Sequence, residues 1–238
     1  MRITTVLFDL DGTLLPMDQD LFIKAYFGGI AKHLAPHGYE TRELIDAIWG
    51  GTAAMVKNDG SKTNEAVFWE FFSKIYSPER ATRDYPLFET FYRDHFDAVQ
   101  KSCGFAPEAR QVIDLLKTAG KDCVLATNPI FPAIATQKRM AWAGLEPSDF
   151  LLVTTYESST HCKPNPAYYT DILSQIGRHA EECLMVGNDV GEDMIARELG
   201  MQVFLLTPCL INKDDIDINI YPHGDFTGLI TYLKKNVI

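Results

Sequence analysis

Two aspartates, Asp9 and Asp11, stand one residue apart and are followed at once by Gly12 and Thr13. Carboxyl groups that close disfavour each other's ionisation. The pair is therefore costly unless positive charge sits against it, and a bound cation is the simplest remedy. A helix-loop-helix calcium site also opens on alternating acids, but it needs glycine at its sixth position and glutamate at its twelfth. Counted from Asp9 those places hold Leu14 and Asp20, which excludes it. Taken alone, Asp-x-Asp-Gly-Thr is also an ordinary turn sequence. It gains meaning from polar groups that recur far along the chain: Thr127 and Asn128, Lys163, and Asn188, Asp189 and Asp193.

The elements around these residues place them alike. Thr4 to Phe8 is a β-branched and apolar run, the composition of a buried strand, and it stops at Asp9. From Pro107 onward helix and strand patterns alternate. Helices are expected over 107–118, 132–143, 166–176 and 192–199, and strands over 122–126, 150–154, 183–186 and 202–206. Such alternation implies an α/β fold, a doubly wound parallel sheet of Rossmann-like form covered on both faces. Between the first strand and this block, Asp18 to about Val99 carries apolar residues at helical spacing: Phe22, Tyr26 and Ile30; Val67, Phe68, Phe71, Phe72 and Ile75; Phe88, Phe91, Tyr92, His95 and Val99. Gly50-Gly51 and Asn58-Asp59-Gly60 read as turns between these helices, the aromatic stripes as their core and His95 as a packed histidine. The expected organisation is a core of residues 1–14 and 104–238 with an all-helical insert over 15–103, hinged near Leu15-Pro16 and Ser102-Gly104. The polar stretch from Asn212 to Asp225 reads as loop.

In a doubly wound sheet, ligands collect beyond the carboxyl ends of the strands where the winding reverses. The candidate residues all fall at such ends. In this arrangement the chain resembles the haloacid dehalogenase superfamily of hydrolases. Asp9-Leu10-Asp11-Gly12-Thr13, Ala126-Thr127-Asn128, Cys162-Lys163-Pro164 and Gly187-Asn188-Asp189 through Asp193 look like its four motifs, in order. The insert sits where a helical cap is found in one subfamily. The resemblance implies that Asp9 is a nucleophile forming an aspartyl-phosphate and that Asp11 is the general acid and base. It implies that Thr127, with Asn128 beside it, holds the phosphoryl group and that Lys163 balances the charge. It further implies Mg2+ held by Asp9, Asp11 and Asp189, with Asp193 and Asn188 in support. An asparagine between Gly187 and the first acid leaves both Asn188 and Asp189 open as the ligand. The spacing to Asp193 favours Asp189.

Composition narrows the partners. The chain has 238 residues, 46% of them hydrophobic, with a formal net charge of −10. It can bury a substantial core, and its charge argues against nucleic acid. No apolar run approaches the roughly 20 residues that span a bilayer, and the first strand does not read as a signal peptide, so the expected setting is the cytoplasm, with no membrane partner. Five cysteines without Cys-x-x-Cys spacing indicate reduced thiols. His161 reads as a loop histidine. Oligomeric state is open between a monomer and a small homo-oligomer.

Members of the superfamily that cleave carbon–halogen bonds lack the second motif-one acid, so Asp11 favours phosphate esters. The expected activity is magnesium-dependent hydrolysis of a small phosphomonoester. A phosphomutase is the nearest rival, since it uses the same acids but needs basic residues in the cap for a second phosphate. Lys24, Lys32, Lys57 and Lys62 could contribute to that. A non-catalytic ligand-binding module is the remaining alternative. Trp49 with its neighbouring glycines, and Met17 to Gln19, are the candidate substrate contacts in the insert.

Overall fold

The computed structural model of the chain describes residues 2–238. Six strands, β1 (Thr5–Phe8), β2 (Asp122–Leu125), β3 (Leu152–Val153), β4 (Cys183–Gly187), β5 (Gln202–Leu206) and β6 (His223–Gly224), form one sheet in the order β3-β2-β1-β4-β5-β6. Every neighbouring pair is parallel. The chain lays down strands outward from β1 to β3, then crosses over and winds the other way from β4. The reversal therefore lies between β1 and β4, whose ends carry Asp9 and Asn188.

Side-chain alternation along the strands splits the core in two. Val6 and Phe8, Leu184 and Val186, and Phe204 and Leu206 face α5 (Pro107–Thr118) and α8 (Phe226–Asn236). Leu7, Val124, Cys183, Met185, Val203 and Leu205 face α7 (Pro166–Ile176) and the 3-10 turn Met194–Leu199. Both faces being covered explains why the strands are continuously apolar. Pro107 starts α5, and Asn165 caps α7 by accepting from the Ala167 N–H at 3.0 Å.

The insert holds α1 (Gln19–Leu34), α2 (Thr41–Val56), α3 (Asn64–Tyr76) and α4 (Pro78–Thr90), followed by one π turn and a 3-10 turn through Ser102. Its aromatic stripes pack together, with Phe72 and Phe88 at 5.3 Å and Tyr26 and Phe96 at 6.2 Å. The two connections to the core run side by side: Met17 bridges Cys103, and the Gly104 N–H donates to the Pro16 carbonyl at 2.7 Å.

Several expectations need correction. Gly50 and Gly51 lie inside α2, where they are contact points and not turns. A β-carbon there would come within 2.4 Å of Phe71 and 2.6 Å of Phe68, so glycine lets α2 and α3 approach closely. His95 is exposed, its ring 4.8 Å from that of His33. The expected helix at 192–199 is a 3-10 turn beginning at Met194. The loop expected over 212–225 contains β6 at its end, and α8, absent from the sequence reading, closes the sheet edge. The helix expected over 132–143 is α6 (Ala133–Trp142), and α5, α7 and β5 match their expected spans.

Candidate active site

The strand ends meet in register. The Asp9 N–H donates to the Val186 carbonyl at 2.9 Å and the Ala126 N–H to the Phe8 carbonyl at 2.7 Å, which sets Thr127, Asp9 and Asn188 at adjacent ends of β2, β1 and β4. Lys163 comes in from the loop after β3 and is fully buried. Its ammonium donates to Asp9 Oδ1 at 2.9 Å and to Asp193 Oδ1 at 2.6 Å. Burial opposes that charge, but the two carboxylates outweigh it and push the ammonium well above its ordinary value. Lys163 thus stays a fixed cation between two acids.

The other oxygen of Asp9 accepts from the Thr13 hydroxyl at 3.2 Å, and the same hydroxyl lies 2.8 Å from Asn188 Oδ1. Asn188 donates onward to the Cys209 carbonyl at 2.7 Å and packs against Gly12, where a β-carbon would stand 2.4 Å from Asn188 Nδ2. Gly12 has a φ of +87°, so both its conformation and the space favour glycine. Asp189 turns toward its own loop, Oδ1 accepting from the Gly191 and Glu192 N–H groups at 2.8 and 3.0 Å, while its own N–H donates to Asp193 Oδ2 at 3.0 Å.

Thr127 is buried at the end of β2. Its carbonyl is fixed by the Thr154 and Tyr168 hydroxyls at 2.7 and 2.9 Å. Asn128 Nδ2 donates to Glu192 at 3.0 Å, and its Oδ1 is buried without a partner. Asp9, Lys163, Asp193, Thr13 and Asn188 therefore form one bonded network. Asn128 and Glu192 form a second contact beside it.

Asp11 has a different environment. Its Oδ2 accepts from the guanidinium of Arg139 on α6, which is fully buried, while its Oδ1 has no hydrogen-bond partner. Burial raises the proton affinity of Asp11; Arg139 opposes that rise and Asp9 adds to it. Arg139 is also held by Thr136 Oγ1 at 3.3 Å and lies 4.5 Å over the Phe131 ring. Sequence reasoning missed Arg139, because an arginine on an amphipathic helix reads as a solvated face. Glu192, whose proton affinity burial also raises, was read only as a helix entry.

Asp11 lines one end of a cavity of about 550 Å3 between the insert and the core. Of the expected substrate contacts, Met17, Gln19 and Trp49 line it, whereas Asp18 instead caps α1 by accepting from the Leu21 N–H. Lys24, Lys32, Lys57 and Lys62 are exposed and none lines this cavity.

A profile of haloacid dehalogenase-like hydrolases matches residues 3–199, most of the chain. The chain belongs to this family. Among similar proteins, the pyrophosphatase PpaX of Anoxybacillus flavithermus is 28% identical over 203 residues, 84% of this chain and 81% of that protein. The N-acetylmuramic acid 6-phosphate phosphatase of Pseudomonas aeruginosa is 28% identical over 219 residues, 90% and 86% of the two chains. A 2-haloacid dehalogenase from Pseudomonas syringae shares the fold with a TM-score of 0.66 at 19% identity, covering 98% of this chain and 99% of that one.

In this haloacid dehalogenase-like hydrolase the groups around the strand ends suit a hard cation. The donors are oxygens, and five carboxyl groups, Asp9, Asp11, Asp189, Glu192 and Asp193, surround only two buried cations, Lys163 and Arg139. Among the described residues no three His, Cys, Asp or Glu side chains are grouped to hold an ion by themselves. Such a set fits magnesium, which takes one or two carboxylates and keeps waters.

Proposed function

We propose that the protein is a magnesium-dependent phosphomonoesterase acting on a small phosphorylated metabolite through an aspartyl-phosphate on Asp9. The observation that carries this reading is the contrast between the two acids of one motif. Asp9 is held against Lys163 and Thr13, while Asp11 has its proton affinity raised by burial. A carboxylate fixed by an ammonium and a hydroxyl, beside a carboxyl that burial makes readier to keep its proton, suits a nucleophile beside a general acid. The relatives named as phosphatases support the same chemistry.

In this mechanism Asp9 attacks phosphorus, and Asp11 gives its proton to the departing alkoxide. Asp11 then takes a proton from the water that opens the aspartyl-phosphate. Lys163 holds the nucleophile's orientation and balances charge gathered at the phosphoryl group. Thr127 and Asn128 would contact the phosphoryl oxygens, Asn128 by turning its Nδ2 donor from Glu192 toward them. Magnesium, held by the Asp9 carboxylate, the Asp11 backbone carbonyl and Asp189, would neutralise negative charge at the approach of nucleophile to phosphate. Asp189 is preferred over Asn188 because its loop engages only one of its two carboxylate oxygens, Oδ1, whereas both ends of the Asn188 amide are taken by Thr13 and Cys209. Asp193 supports through Lys163. Residues 15–103 act as a cap over the core formed by 1–14 and 104–238.

Phosphate release from a panel of phosphomonoesters, with and without magnesium, tests the reading. Native protein should turn over with magnesium and Asp9→Asn should not. Turnover that survives in Asp9→Asn contradicts the nucleophile.

A further inference from the structure

We infer that the alcohol released by this enzyme is a large, uncharged, ring-bearing apolar group, bound in the aromatic cavity beside Asp11. The inference rests on the phosphatase reading above. A general acid must face the leaving oxygen. Asp11 opens onto the cavity whereas Asp9 and Lys163 do not line it, so the cavity lies on the leaving-group side of the phosphorus.

Its volume and chemistry then define the occupant. About 550 Å3 is several times the roughly 150 Å3 that holds one benzene ring. Of 25 lining residues 11 are aromatic, among them Phe22, Tyr26, Phe68, Trp69 and Phe131. Several of the few polar groups are spent, whereas Trp69 Nε1 is buried without a partner. Tyr26 and Tyr92 bond each other at 2.8 Å, and the Thr52 hydroxyl donates to the Ile48 carbonyl at 2.9 Å. Glu157 accepts from the Ala133 N–H at 2.8 Å. A ring-bearing group can place one oxygen on Trp69 Nε1, whereas a polyol would set most of its hydroxyls against the eleven aromatic side chains with no partner, which costs free energy.

A charged leaving group fits no better. Arg93 is the one lysine or arginine among the lining residues; it is exposed and tied to Asp94 and Thr90. Asp11, Glu89 and Glu157 make the wall net acidic, and Arg139 lies behind Phe131, committed to Asp11. A second phosphate would meet repulsion with no free cation. The cavity thus departs from what a pyrophosphatase needs, despite the likeness to PpaX.

The test compares kcat/KM for ethyl, phenethyl and naphthylethyl phosphate, whose alcohols have similar acidity, alongside a hexose phosphate and inorganic pyrophosphate. The expected result is a rise along the series of about 100-fold from burial of the rings, with the hexose phosphate and pyrophosphate far behind naphthylethyl phosphate. A flat series, or preference for the hexose phosphate or pyrophosphate, overturns the inference and leaves the phosphatase reading standing. Failure of all esters removes that reading. Binding then decides separately: naphthylethyl phosphonate should bind at least tenfold more tightly than ethyl phosphonate, and equal affinities overturn the inference. Thr52→Trp, which fills the cavity from α2, should lower the naphthylethyl to ethyl ratio; an unchanged ratio counts against it.

Discussion

Replacing Arg139 by methionine isolates the most exacting electrostatic arrangement in the molecule. The substitution keeps an apolar stem over Phe131 but removes the cation facing Asp11. Burial already raises the proton affinity of Asp11, and Arg139 is the main opposing influence. Without it the carboxyl must remain charged without a partner or take up a proton. Breaking a buried pair costs about 3–5 kcal/mol. Protonating an ordinary carboxyl at pH 7 costs about 4 kcal/mol, at about 1.36 kcal/mol for each pH unit. Because burial has already done part of that work, the expected loss of stability is about 2–4 kcal/mol. The sign with pH follows. In Arg139→Met the folded chain holds the Asp11 proton more tightly than the unfolded chain does, so acid favours the folded variant. Urea unfolding at pH 7 and pH 5 should show the gap to native protein narrowing in acid, and adding Asp11→Asn should recover part of the loss. A loss under about 1 kcal/mol at pH 7, or a gap that widens in acid, would refute this account.

Further outcomes follow from other contacts. Lys163→Met leaves Asp9 and Asp193 facing each other in a buried site; turnover should fall by at least about 1000-fold and stability by about 3 kcal/mol, read by phosphate release and urea unfolding. Gly51→Ala should destabilise by about 1–3 kcal/mol despite alanine's better helix propensity, because its β-carbon meets the Phe68 ring; a rise in Tm would contradict the packing argument. Asp149 is pushed up by burial, but its ion pairs to Arg110 and Lys117 win and hold it at about 2. This depressed value contributes stability above the ordinary carboxyl range that is lost as pH falls through about 2. Asp149→Asn should therefore cost about 2 kcal/mol near neutrality and progressively less in acid, as unfolding across pH would reveal.

What was legible in the sequence was the part written in local pattern. Strand runs ending in polar residues located Asp9, Thr127, Lys163 and Asn188, and the α/β alternation implied a sheet that brings those ends together. Helix α5 was legible because Pro107 and its apolar stripe mark both start and face. What escaped depends on partners distant along the chain. Arg139 acquires meaning only from Asp11, 128 residues away, and nothing in α6 announces a buried guanidinium. Gly50 and Gly51 look like a break until α3 is packed against them. Helix α8 carries Phe226, Leu229 and Leu233 on one face, but its stripe is short and interrupted by Gly228 and the polar Thr227 and Thr231, so it becomes a helix only against the sheet. Spacing to Asp193 favoured Asp189, but the bonds from Asn188 to Thr13 and Cys209 depend on residues 175 and 21 positions away and could not be read from it.

The central claim is that Asp9 carries the phosphoryl group while Asp11 moves protons. It is tested most directly in Asp11→Asn with p-nitrophenyl phosphate and magnesium, a substrate whose leaving group needs no general acid. With the base for hydrolysis removed, a burst of one equivalent of nitrophenol should precede slow turnover, and the intact protein should gain the mass of one phosphoryl group, located by peptide mapping at Asp9. The absence of both burst and adduct, or an adduct that persists when Asp9→Asn is added, would contradict the account.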